Sequence, residues 1–241
     1  MIRKEFALVL CTLFVLSCLS FVVFGVPVGP SKISYVENKT SGIRPPLSRN
    51  QDARGTITTV LMNVTQQSLY WKAYVGNVTG KITLDDDLNF TIYDWALSIG
   101  GGEVYATKKT TTVSWTNIKC ANRSVVETEN LFLNHTVGKT DSLNKTFRRN
   151  NHTAFYTGNV PFPANTCNHT VHTYINDRSQ KSSFSEVLLY DTSGYIVYAS
   201  VMNRSAVGYN NEHYDFQLLV GEKGQDGSLP PIPYYFYVEL T

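Results

Sequence analysis

The sequence is poor in charge. Only 17% of its 241 residues are Asp, Glu, Lys or Arg, and these nearly cancel to a formal net charge of +2. The Lys and Arg residues are spread along the chain, so it offers neither a nucleic-acid groove nor a polybasic membrane patch. Cysteine is scarce too: four in all, with Cys11 and Cys18 inside a hydrophobic opening stretch. No CxxC pair, GxSxG elbow, HExxH helix or phosphate-binding glycine loop occurs, so none of the common local signatures of metal, nucleophile or nucleotide chemistry is present. No cofactor is expected. Helical periodicity is not sustained anywhere, and no second long apolar run follows the first.

Asn, Thr, Ser and Tyr take the place of charge. The chain opens with Arg3 and Lys4, followed by an apolar run from Phe6 to Val26. A basic start before such a run reads as a secretory signal with cleavage after Gly25. The run also approaches the roughly 20 residues that span a bilayer, so a retained signal anchor is the alternative for residues 1–25. Lipid attachment at Cys18 is disfavoured by the apolar residues that follow it. The chain is therefore expected to be secreted or at the cell surface, with membrane contact only through this segment.

Residues 26–53 hold four prolines and two glycines and read as an extended arm with one β-prone stretch, Lys32 to Val36. From residue 54 onward the texture changes. GTITTVLMNVT, SLYWKAYVG, NVTGKITL, NFTIYDWALSI, EVYAT, TTVSWT, FSEVLLYD, YIVYASVM, YDFQLLV and YYFYVEL are short runs rich in β-branched and aromatic residues. Turn residues separate them, among them Thr192-Ser193-Gly194 and the glycines 100–102. SVVETENLFL has the look of a short helix. The expected fold over 54–241 is one all-β domain, an antiparallel β-sandwich of immunoglobulin-like or jelly-roll-like type.

Ten Asn-x-Ser/Thr acceptors begin at Asn38, Asn63, Asn77, Asn89, Asn122, Asn134, Asn144, Asn151, Asn168 and Asn203. Chance would give about three or four. Behind an export signal, this excess points to heavy N-glycosylation. Each modified Asn must then face water, because a glycan is bulky and strongly hydrated. Alternation in a strand puts Asn77 and Thr79 outward with Lys81 and Thr83, and Val78, Ile82 and Leu84 inward. Asn89 and Asn63 share their faces with apolar residues and fit this scheme less well. Asn-His-Thr recurs at 134, 151 and 168 with no other match between the copies, which reads as coincidence.

Beyond the opening segment, Cys120 and Cys167 form an isolated pair. In an oxidising exterior they are expected to be disulfide-bonded. Two buried thiols, or zinc held with His169 and His172, are weaker alternatives. Trp71, Trp95 and Trp115 lie in strand-like runs and read first as core, second as sugar or partner contacts. In the last run Tyr234, Phe236, Val238 and Leu240 share a core-like face. Tyr235, Tyr237 and Glu239 lie opposite and suit a surface or interface. Asp85, Asp87 and Asn89 have the opening spacing of a calcium loop, but Phe90 and Ala96 stand where Gly and Glu are needed; a hairpin turn is the better reading. Glu103, Asp94, Glu186 and Asp191 are the carboxylates available for hydrolysis and have no recognisable partner geometry.

At SLYWKAYVGNVTGKITL, IYDWALS, GEVYATK, VSWTNIKC, PANTC, EVLLYD and PYYFYVEL the chain resembles a family of uncharacterised archaeal secreted proteins. The likeness covers most of 54–241. It implies a glycosylated surface setting and brings no activity, ligand or catalytic residue. The expectation is a structural cell-surface protein, a filament or coat subunit, that is not an enzyme. Its partner would be itself, by strand exchange through residues 31–37, or surface glycans, with no nucleic acid. A glycan- or cell-binding adhesion module is the alternative. A secreted hydrolase using Glu103 and Asp94 is the third reading.

Overall fold

The runs SEVLLY and IVYASV carry apolar residues at consecutive positions, which is the pattern of strands covered on both faces. In the computed structural model they are the centre of the molecule. The structure describes residues 26–38, 69–88, 90–96, 100–136, 138–172, 174–175, 178–179, 183–224 and 232–241. The GTITTVLMNVT run and the export segment lie outside the described residues.

In chain order the strands are β1 (Trp71–Gly76), β2 (Lys81–Asp85), β3 (Thr91–Ala96), β4 (Gly102–Thr107), β5 (Lys119–Cys120), β6 (Phe155–Thr157), β7 (Val160–Phe162), β8 (Thr170–His172), β9 (Tyr174–Ile175), β10 (Arg178–Ser179), β11 (Ser185–Tyr190), β12 (Ile196–Val201), β13 (Ala206–Val207), β14 (His213–Tyr214), β15 (Phe216–Gly221) and β16 (Tyr235–Leu240). Among the described residues two helices, α1 (Arg123–Phe132) and α2 (Leu143–Thr146), interrupt them. The fold is all-β, and every strand pairing among the described residues is antiparallel.

The main sheet runs β16-β4-β12-β11, and β5 and β8 share the free edge of β11. Leu189 and Tyr190 of β11 face Cys120 and Lys119, while Ser185 to Val187 face His172 to Thr170. The disulfide between Cys120 and Cys167 fastens β5 to the segment entering β8. Both thiols are thereby consumed, which removes them as zinc ligands. At the opposite edge Val28 of the arm forms a bridge with Val238 of β16, each N–H donating to the other's carbonyl (3.1 and 2.8 Å).

Alternation along the central strands feeds two cores. Tyr105, Val187, Leu189, Val197 and Ala199 point to one face, where Trp115, Ile118, Cys167 and the stacked rings of Phe155 and Phe162 cover them. Ala106, Leu188, Ile196 and Tyr198 point to the other, against Val126 of α1, Leu143 and Phe147 around α2, and Leu218 and Val220 of the β1–β15 pair. The layering is sandwich-like, with helix α1 sharing the second cover.

Helix α1 begins where Asn122 accepts the Val125 N–H at 3.0 Å, a side-chain N-cap. It ends at Asn134, whose φ of 57° is the left-handed conformation that Asn tolerates. The TTVSWT stretch forms no strand; Trp115–Asn117 is a 3-10 turn that drops its indole into the first core. The Asp191–Tyr195 turn joining β11 to β12 is closed by Gly194 N–H donating to Asp191 O (2.9 Å), with Gly194 at φ 79°. No described helix is long and apolar enough to cross a membrane.

Candidate functional site

Eight of the ten acceptor asparagines fall among the described residues; Asn63 and Asn89 do not. Asn38, Asn77, Asn122, Asn134, Asn151, Asn168 and Asn203 are exposed, and Asn144 is half-buried. Different elements present them. Asn77 follows β1 in the connector to β2, so the strand alternation expected for it does not apply; Leu84, expected inward, is exposed as well. Asn122 and Asn134 bracket α1. Asn151 and Asn168 precede β6 and β8, and Asn203 follows β12.

At the three Asn-His-Thr sites the Asn faces water and the His turns inward. His135 Nε2 bonds the Glu222 carbonyl at 2.8 Å. His152 Nδ1–H donates to Thr153 O (2.8 Å), and its Nε2 accepts the N–H groups of Thr166 and Cys167 (3.1 and 3.0 Å). His169 Nδ1 bonds Phe147 O at 3.1 Å. Each imidazole anchors the backbone beside an exposed Asn, although the three surroundings differ. Asn144 is the exception among the acceptors. It lies in α2, and its Oδ1 accepts from Asn130 Nδ2 (3.1 Å) and Ser142 Oγ (2.8 Å).

The aromatic residues separate by depth. Trp115, 7% exposed, packs against Tyr105 and Tyr237 in the core, the first of the two readings expected for it. Tyr237 goes with it, and Glu239 is buried too. The last strand is covered on both faces, and only Tyr235 is exposed. Trp71 is half-buried, its indole N–H donating to Asp141 O at 2.8 Å and its ring against His135 and Phe147. Trp95 is the tryptophan that stands in water, 47% exposed on β3 with Tyr93 edge-on at 4.4 Å.

The hydrolase candidates are scattered. Asp94 pairs with Lys81 on the exposed β2–β3 hairpin (2.6 Å). Asp191 pairs with Lys109 and organises its turn. Glu186 is fully buried between the main sheet and β15, accepting Leu219 N–H at 2.8 Å, and burial pushes its carboxyl well up. Glu103 lies opposite Glu239 in the β4–β16 register. Glu239 accepts from Tyr105 OH (3.0 Å) and from the Gly158 N–H (2.9 and 3.0 Å), while Glu103 Oε2 has no partner among the described residues. Burial first, and the neighbouring Glu239 second, raise the Glu103 carboxyl to about 8; burial raises Glu239 as well. The sequence reading missed this pairing. Its trace was a Glu at an alternating position of an otherwise apolar strand, YVEL.

The raised carboxyls make the stability of the sheet fall as pH rises. The pocket lined by Val78, Gly101, Met202, Arg204 and Asp215 has room for about one water. At the tip of β2–β3, Asp86 Oδ1 accepts from Leu88 and Phe90 N–H (2.9 and 2.8 Å), a turn closed by its own backbone. Among the described residues no three His, Cys, Asp or Glu groups converge on a metal position. Comparison of the chain with protein-family models, with curated proteins and with solved structures finds no match.

Proposed function

We propose that this chain is a secreted, heavily N-glycosylated structural protein of the cell surface, a coat or filament subunit, and not an enzyme. The observation that carries the reading is the outward stance of seven acceptor asparagines on a buried-core β scaffold. Sugars at such positions shield sheet edges from proteases and from stray strand pairing, and they keep a weakly charged surface soluble. The arm supports self-assembly. Val28 already adds to the edge of β16, and residues 31–37 beyond it are exposed. Strand exchange through 31–37 of neighbouring copies would use the same main-chain bonding. The archaeal setting is proposed from the sequence resemblance alone. Glycopeptide mass spectrometry of the native protein, with electron microscopy of the cell surface, tests the reading. Unmodified asparagines on a protein recovered from the cytoplasm would refute it.

A second reading, a glycan- or cell-binding module, is favoured by one observation, the exposed Tyr93–Trp95 pair. Loss of glycan-array binding in Trp95→Ala with unchanged stability would support it; an array blank for the unmodified chain would remove it.

A further inference from the structure

Two acceptor triplets far apart in sequence meet at Asp215. Asn77-Val78-Thr79 leaves β1 in the second layer, and Asn203-Arg204-Ser205 follows β12 of the main sheet. Asp215 immediately precedes β15 and holds both. Its N–H donates to Gly76 O and its carbonyl accepts from the Asn203 N–H, each at 2.9 Å. Its Oδ2 accepts from the Val78 N–H and its Oδ1 from the Ser205 N–H, also at 2.9 Å. Bonds of this kind to a carboxylate are stronger than neutral ones. One carboxylate therefore bonds both triplets, so the Val78 and Ser205 nitrogens stand at most about 8 Å apart. Ser205 is held at φ 52°, a left-handed conformation that residues other than glycine seldom adopt. The one-water pocket lies between the two triplets. Val78 follows Asn77, Met202 and Arg204 flank Asn203, and Gly101 and Asp215 complete its lining. Asn77, Thr79, Asn203 and Ser205 are all exposed, while Met202 and Val78 are half-buried.

We infer that Asn77 and Asn203 form one paired modification site, whose two N-linked glycans stand side by side and cap this end of the molecule. The end is a seam between layers. β1 and β12 finish there, and β4 and β15 begin there, with the Met202 N–H donating to Gly102 O at 2.9 Å. One acceptor comes from each layer, so the two sugars approach the seam from both sides. A glycan is bulky and strongly hydrated, and two of them rooted this close must spread over the same ground. That ground is the pocket and Met202. Its lining mixes a charged pair of side chains, Arg204 and Asp215, with apolar Val78 and Met202, a surface that a hydrated cover suits better than an apolar one. Asp215 is a positioning residue here. It carries no sugar and fixes the separation of the two residues that do.

The cap rests on the proposed glycosylation, whereas the pairing of the two triplets does not, and the tests separate them. In the full chain with its native glycans, peptide mapping should find sugar at both Asn77 and Asn203. Met202 should then oxidise slowly in dilute peroxide, because thioether oxidation follows exposure. Oxidation should run severalfold faster in Asn77→Gln/Asn203→Gln, with each single variant in between. Equal rates in the native protein and the double variant overturn the cap. In the full chain made without sugars, Asn77→Cys/Asn203→Cys should be joined within one molecule by a short bis-maleimide. Asp215→Asn, which keeps one of the two carboxylate oxygens, should slow that joining severalfold while the circular-dichroism melt shows a folded chain. Failure of the two cysteines to join overturns the pairing, and joining at an unchanged rate in Asp215→Asn overturns the role of Asp215. A bare Asn77 or Asn203 on a protein glycosylated elsewhere overturns the paired site and leaves the glycoprotein reading standing. No sugar at any of the ten acceptors defeats both.

Discussion

Replacing Glu103 by glutamine is expected to stabilise the protein at neutral and alkaline pH and to flatten its stability profile. Glu103 is 4% exposed and faces Glu239 across the β4–β16 ladder. Its carboxyl ionises near 4.5 in the unfolded chain and near 8 in the folded one. The folded state therefore holds the extra proton, and its stability falls as pH rises through this window. Below pH 4.5 the group costs nothing; above pH 8 the whole penalty applies. At about 1.4 kcal/mol per pH unit, the loss is at most about 5 kcal/mol in full and roughly 3 kcal/mol at pH 7. Glutamine keeps the shape and a hydrogen-bond donor without a proton to lose. Urea unfolding followed by tryptophan emission between pH 4 and 9 reads the difference, because Trp115 packs against Tyr105, whose hydroxyl bonds Glu239. The expected result is a wild-type slope steeper than that of Glu103→Gln by about one proton between pH 5 and 8. Parallel curves would show that Glu103 ionises normally and that the buried pair is wrongly described. His135 acts in the opposite direction. Burial lowers its pKa, so its contribution is present above about 6.5 and is lost as pH falls below.

Gly102 sits at φ 137°, and a Cβ there would stand 2.0 Å from the Glu239 carbonyl oxygen. Gly102→Ala is therefore expected to detach the start of β4 from β16, seen as lost amide protection in hydrogen exchange for residues 102–105 and 237–240. Reducing the disulfide, or making Cys120→Ala/Cys167→Ala, should cost about 4 kcal/mol on the chain-entropy account; an unchanged denaturation midpoint would contradict the stapling of β5 to β8. Trp115→Ala should cost about 3–5 kcal/mol as a large-to-small core change, whereas Trp95→Ala should leave the melting temperature of the monomer nearly unchanged; equal effects would disprove their assigned depths. Glycopeptide mapping should find Asn144 the least occupied of the eight described acceptors, since its amide is half-buried and bonded.

How much was legible in the sequence depended on range. The β4, β11, β12 and β16 strands, the 192–194 turn and the α1 helix were readable because each is set by neighbours within a few residues: β-branched runs, a glycine at positive φ, an Asn cap. The strand expected at TTVSWT became a 3-10 turn because burying Trp115 against Tyr105 outweighs a weak local preference. The outward Tyr237 and Glu239 and the inward Leu84 were misplaced for one reason. Alternation tells which residues share a face, and it does not tell which face is covered.

The sequence by itself determined the β character, the candidate acceptor sites and the single cysteine pair, all properties of short segments or of counting. Only the tertiary structure decided that β4, β11 and β12 are covered on both sides, that Glu103 meets Glu239, and that one tryptophan of three stands in water. Those outcomes depend on contacts between residues far apart in the chain, where side-chain identity sets the cost of burial and the packing of whole layers sets which side chains must bear it.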